Sequence, residues 1–187
     1  EASAARIWKQ ANEKLAAPEL TTHGILKKFR VTTLCTTDDP TDDLKYHEMI
    51  AASGIATSVL PAFRPDKALA IHDTARFNEW VDKLAQASNV DVNNLSAFLI
   101  ALRQRHDVFH THGCRLSDHG LNQCPANFCS DETAAAIFSK VREGKSTSSE
   151  EQGQFAAVMM LFFGRLDAEK GWTKQLHLGA QRSNNTR

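Results

Sequence analysis

The sequence predicts an α/β chain with parallel strands. Three observations predict it. Short strand-like runs recur four times along the 187 residues, helix-patterned segments separate them, and the unusual polar residues fall just past the strand ends. Strands alternating with helices imply right-handed crossovers. Four such strands make half a barrel or a small open sheet, and in both layouts function gathers at the C-terminal strand ends.

From Ala4 to Leu15, the residues Ile7, Trp8, Ala11 and Leu15 recur at helical spacing, and Pro18 stops that helix. A short helical piece around Ile25 to Phe29 leads into Val31 to Thr36, a strand by its β-branched content. Asp38, Asp39 and Pro40 open a loop, and Asp42 or Asp43 is expected to cap a helix through Tyr46, Met49 and Ile50 that Ser53-Gly54 breaks. The second strand, Thr57 to Phe63, ends at Arg64-Pro65-Asp66-Lys67, and helices follow from about Ala75 to Ala87 and Asn94 to Arg105. A short third strand near His112 to Leu116 delivers Ser117-Asp118-His119-Gly120 at its end. Helices from Asp131 to Arg142 and Ser149 to Leu166 flank a polar loop, and the last strand, Thr173 to Leu178, runs into Gly179-Ala180-Gln181-Arg182.

Composition narrows the function classes. At 42% hydrophobic and 24% charged the chain is globular, able to bury one domain's core. Lys plus Arg equals Asp plus Glu at 22 each, so no net field draws it to nucleic acid or an anionic membrane, and a small-molecule or protein partner is expected. The longest apolar stretch, Phe155 to Phe163, is about nine residues where a span needs about twenty, so it should be a buried helix segment. The N-terminus has no export signal, and a cytoplasmic location is expected. Cys124, Cys129 and nearby His119 suggest a zinc site, but a second closely spaced Cys pair is missing, so free thiols are the better reading. Cys35 and Cys114 read as small core residues on strands.

Four residues at strand ends carry the candidate chemistry. Pro61 and Pro65 stiffen the backbone around Arg64, whose guanidinium could grip a carboxylate in a bidentate pair; the plainer alternative is a surface ion pair to Asp66. Asp118 could orient a hydroxyl or accept its proton, or else cap the next turn. His177 points away from Leu176 and Leu178, although a lone strand histidine is more often a satisfied core residue than a ligand. Arg182 is otherwise a solvated loop residue.

Taken together, Leu34 to Pro40, Leu60-Pro61-Ala62-Phe63-Arg64-Pro65-Asp66-Lys67-Ala68, Gly113 to Gly120 and Gln175 to Asn185 resemble segments of the uronate isomerase family in order and spacing. The resemblance runs over essentially all 187 residues, including Ile7-Trp8 and Asn12-Glu13-Lys14-Leu15. It implies a divergent amidohydrolase-superfamily member, with residues 1–187 forming a single partial domain of a (β/α)8 TIM-type barrel that lacks the first and last barrel strands. The implied reaction interconverts D-glucuronate with D-fructuronate and D-galacturonate with D-tagaturonate.

By the same resemblance Asp118 and His177 are catalytic, and Arg64 and Arg182 bind the substrate carboxylate. The full-length enzyme is expected to use a divalent metal such as zinc, whose principal ligands, a His-x-His pair and a late Asp, lie outside this chain. His110-Thr111-His112 copies that spacing but precedes the third strand, so it is not the pair. A homo-oligomer is expected at full length, and the chain alone is expected to be inactive. Two alternatives stay open, a metal-dependent hydrolase of the same superfamily and a non-catalytic scaffold piece. The paired arginines argue against hydrolysis, which needs no carboxylate clamp.

Overall fold

The structure, a computed structural model, describes residues 2–179. These form two compact units, one of residues up to 36 with 44–60, the other of residues 37–43 with 61 onward.

The first unit holds helices α1 (Ala2–Leu15) and α2 (Thr22–Lys28), strand β1 (Thr33–Cys35), helix α3 (Lys45–Ala52) and strand β2 (Ser58–Leu60). The strands pair in parallel, Leu34 opposite Val59, and the Thr57 hydroxyl donates to the Val31 carbonyl at 2.7 Å just before the ladder. The expected strands are there but shorter. Helix α3 is entered not from an Asp cap but from Leu44, at φ 58° in the left-handed region. Cys35 is exposed rather than in a core, because alternation turns it to the face opposite the half-buried Leu34. The apolar stripe of α1 is likewise open, with Ile7 60%, Trp8 74% and Leu15 66% exposed.

The second unit is built on helices α4 (Thr74–Ser88), α5 (Leu95–Thr111), α6 (Asp131–Arg142) and α7 (Ser149–Lys170), with strands β3 (Leu116–Leu121) and β4 (Thr173–Leu178). Side-chain caps start all four helices. Asp73, Asn94, Ser130 and Ser148 each accept from a first-turn amide, and Glu151 completes a capping box on α7. Phe77, Phe98, Phe138 and Phe155 form the centre of the helical core, with ring centroids 5.0 Å apart for Phe98 and Phe138. The Phe155 to Phe163 run lies in α7 as expected, burying Phe155, Ala157, Met159 and Phe163.

Two element ends differ from expectation for one reason: polar residues are buried. Helix α5 continues past Arg105 because Arg105 and His106 sit in the same buried stripe as Leu102 and Phe109. Strand β3 therefore starts at Leu116, not His112; His112 ends α5, and Gly113 turns the chain with φ 89°. Ser117 to Gly120 thus lie within the strand rather than beyond it.

All strand pairing among the described residues is parallel. Within the second unit Asp38 bridges Phe63, Phe63 bridges Ser117, and Ser117 pairs with Lys174, so four segments lie side by side in chain order. The chain is a mixed α/β fold with short parallel strands.

Candidate active site

Strand alternation gives this sheet two chemically distinct faces. Phe63 points into the helices, where its ring meets His106 at 5.2 Å and Phe109 at 5.1 Å. Arg64, the next residue, turns to the other face and meets Asp118. On β3 the alternation repeats: Ser117 and His119 join the helix-side network, and Asp118 faces Arg64.

Arg64 is held from two sides. Its Nε donates to Asp66 Oδ2 at 2.8 Å, and Nη1 lies 3.4 Å from Asp118 Oδ2. The Asp66 hydrogen bond, with both carboxylates' charge, raises the guanidinium pKa against the opposing effect of partial burial. Asp66 is itself anchored, since the Gly120 amide approaches its oxygens at 3.2 and 3.1 Å. The plain ion pair with Asp66 and the approach to Asp118 coexist. Of five N–H donors on a guanidinium, only some are taken this way.

Asp118 is 4% exposed and faces β4 in register with Gln175, while His177 pairs opposite Gly120. Gln175 Nε2 lies 3.4 Å from Asp118 Oδ1 and 2.7 Å from His177 Nε2, and His177 Nε2 lies 3.3 Å from Asp118 Oδ1. Arg64, Asp118 and His177 are thereby brought together, and Arg182 lies outside the described residues. Beside them a cavity of about 530 Å³ is lined by Asp66, His72, Gly120, Asn122, Gln123 and Gln152, among others. That volume is within the usual range for a small-molecule site, and the lining is rich in hydrogen-bonding groups.

On the helix side, Asp167 of α7 accepts from Ser117 Oγ at 2.7 Å and Lys174 Nζ at 2.8 Å, and His106 Nε2 is 3.3 Å away. Burial alone would raise the Asp167 pKa, but the bonds from His106, Lys174 and Ser117 outweigh it and hold the group ionised. Lys174 Nζ also reaches His119 Nε2 at 3.0 Å. Burial and the Lys174 charge push His119 down to about 3, so the ring is neutral at ordinary pH. His119 supports the strand and stays out of the solvent-facing group. Trp172 stacks on His106 with centroids 3.8 Å apart and closes this network.

Sequence reasoning missed Asp66 as a site member, treating it only as a competing partner for Arg64, and missed Gln175 altogether. Its signal was the two-residue spacing to His177 on one strand, informative only once β3 was known to lie alongside. Among the described residues no group of three or more His, Cys, Asp or Glu is placed to hold a metal ion. Cys124, Cys129 and His119 form no such cluster; all four cysteines are free, and Cys114 is buried as expected.

A family model described as glucuronate isomerase matches residues 1–187. The chain belongs to the glucuronate isomerase family. It is 60% identical over 187 residues to a uronate isomerase of Solibacter usitatus and 52% identical over 185 residues to one of Opitutus terrae, covering 100% and 99% of this chain. It spans about 40% of the length of these curated relatives. Among solved structures, uronate isomerase from Thermotoga maritima superposes with TM-score 0.90 at 34% identity, over 98% of this chain and 40% of that one. Glucuronate isomerase from Caulobacter crescentus superposes with TM-score 0.87 at 29% identity, over 99% and 38%. Glucuronate isomerase family membership thus rests on all 187 residues rather than on one motif.

Proposed function

We propose that this chain forms the central part of an aldose–ketose isomerase interconverting D-glucuronate with D-fructuronate and D-galacturonate with D-tagaturonate. The observation that carries the reading is the convergence of Arg64, Asp118 and His177 on one sheet face of a chain matched along its full length by the glucuronate isomerase family. The parallel order Asp38, Phe63, Ser117, Lys174 supports a portion of a (β/α)8 barrel, with residues 1–187 as one partial barrel domain.

Isomerisation needs a base to take the C2 proton, an enediol, and a proton returned at C1. Arg64 serves as the carboxylate clamp: Asp66 holds Nε and Asp118 approaches Nη1, and the remaining Nη hydrogens receive a uronate carboxylate, with Arg182 as a second cation. Asp118 and His177 handle the hydroxyls and the developing oxyanion. The charges of Arg64, Asp66 and Asp118 sum to −1, so a second cationic or hydrogen-bond-donating group must help receive an anionic substrate.

A divalent metal such as zinc belongs to the proposal for the full-length enzyme, with its principal ligands supplied from outside this chain. Asp118 and His177 alone do not make a metal centre. No helix among the described residues is long and apolar enough to cross a membrane. We place the enzyme in the cytoplasm, as a homo-oligomer acting on small sugar acids and not on nucleic acid.

The test is to supply the full-length enzyme carrying this segment with each uronate and follow aldose and ketose by NMR. Conversion in both directions is expected. Hydrolase activity without isomerisation would replace this reading by the superfamily alternative.

A further inference from the structure

Arg105 of α5 is 8% exposed, and its guanidinium makes its hydrogen bonds to backbone. Nε donates to the Pro40 carbonyl at 2.7 Å, Nη2 to the Asp42 carbonyl at 2.7 Å and Nη1 to the Ala87 carbonyl at 3.2 Å. A guanidinium only donates and a carbonyl only accepts, so these bonds leave no choice of hydrogens. Two of the carbonyls belong to the loop 37–43 and the third to the last turn of α4, so one buried cation joins that loop to two helices. The same loop holds the segment that carries Arg64. The Asp38 amide donates to the Ala62 carbonyl at 3.0 Å, the Arg64 amide donates to the Asp38 carbonyl at 2.9 Å, and the Ala62 amide reaches Asp38 Oδ2 at 3.2 Å. One residue on, Asp39 accepts from Trp80 Nε1 at 2.8 Å and pairs with Lys67 Nζ at 3.0 Å. Residues 62, 64 and 67 are each held from this loop, and its return at Pro40 and Asp42 hangs on Arg105.

We infer that Arg105 is a positioning residue for the carboxylate clamp: it fixes the loop 37–43 from α5, and the loop fixes the backbone on which Arg64 stands. Its consequence for substrate binding rests on the isomerase reading. The tie from Arg105 to the Arg64 backbone does not. Lysine is no equivalent here, because one ammonium on a flexible stem cannot reproduce a rigid fork aimed at three separate carbonyls. A cavity of about 410 Å³, lined by Thr41, Lys83, Gln86, Ala87 and Arg105 among others, opens beside the guanidinium. A free guanidinium ion can therefore reach the position when the side chain is shortened.

The experiment compares the full-length enzyme with its Arg105→Lys, Arg105→Ala, Arg64→Met and Arg105→Lys/Arg64→Met variants. In Arg105→Lys, KM for uronates is expected to rise about tenfold while kcat stays within about twofold. Guanidinium chloride at a low, non-denaturing concentration should restore part of the loss in Arg105→Ala. In the Arg64→Met background, Arg105→Lys should change KM by less than about twofold, because the group it aims is gone. Hydrogen exchange followed by mass spectrometry needs no substrate: peptides covering 38–42 and 62–67 should exchange faster in Arg105→Lys, and those covering β4 should keep their rates. In the parent the same two peptides should open as one unit with a common dependence on denaturant, a measurement that stands even if both Arg105 variants fail to fold. Equal KM changes in the two backgrounds, unchanged exchange at 38–42 and 62–67, or independent opening of these segments in the parent overturns the inference. Absence of isomerisation in the parent overturns the isomerase reading instead and leaves the exchange result to decide the tie, so the two failures are distinguishable.

Discussion

Arg64 donates through Nε to Asp66 Oδ2 at 2.8 Å, so the residue we propose as the carboxylate clamp is already engaged by a neighbour. The two side chains should then contribute unequally to catalysis. In the full-length enzyme, Arg64→Met is expected to raise KM for uronates and to lower kcat/KM on the order of 100-fold or more, since the charge-assisted contact to the carboxylate is lost. Asp66→Asn keeps the guanidinium but loosens its aim, and a smaller loss is expected. Steady-state kinetics with metal content checked by elemental analysis decide the matter. Unchanged turnover in Arg64→Met would remove Arg64 from the site, and equal losses in both variants would make the pair merely structural.

His119 should impose an acid limit on stability. Its folded pKa of about 3 lies below the ordinary 6.5, so in that window the unfolded chain binds a proton that the folded chain does not. Stability is whole above about pH 6.5 and falls on acidification toward pH 3, by up to about 1.4 kcal/mol per pH unit from this one group. Urea denaturation across that range should show a shallower pH dependence in His119→Asn. Identical slopes would mean that the ring protonates in place.

Removing one member of the buried pair should cost more than removing both. Lys174→Met leaves the Asp167 carboxylate, 3% exposed, without its cation, and a loss of about 3 kcal/mol is expected. The double variant Lys174→Met/Asp167→Leu should recover part of it. Denaturant midpoints for the parent, both single variants and the double variant give the coupling, and a zero value would show the pair to be energetically idle.

The open apolar stripe on α1 predicts self-association of the isolated 187-residue chain. Light scattering should report species larger than a monomer, reduced by Trp8→Lys/Leu15→Lys. A stable monomer that melts cooperatively would count strongly against this.

Much of the fold was legible where local pattern and burial agree. Helix α6 and strand β4 have the bounds read from sequence, because Ser130 caps the one and Gly171 and Gly179 bracket the other. Strand β3 starts four residues later than expected because Ser117, Asp118 and His119 are polar and buried together, a combination that a hydropathy pattern reads as loop. Its burial is made tolerable by Asp167, about fifty residues further on, and by Lys174. The site was half legible for the same reason. Arg64, Asp118 and His177 fall at or near the strand ends expected from sequence, whereas Gln175 and Asp66 acquire meaning only from β3–β4 register and the Gly120 amide.

Because Asp118 faces the candidate site while its neighbours Ser117 and His119 face Asp167 and Lys174, β3 carries two messages interleaved letter by letter. A single-residue insertion or deletion at this point would transpose them, turning Ser117 or His119 toward Arg64 and driving the Asp118 carboxylate into the helices. A change of length should cost less in the stretch after it, where residues 122–130 form a loop outside this alternation.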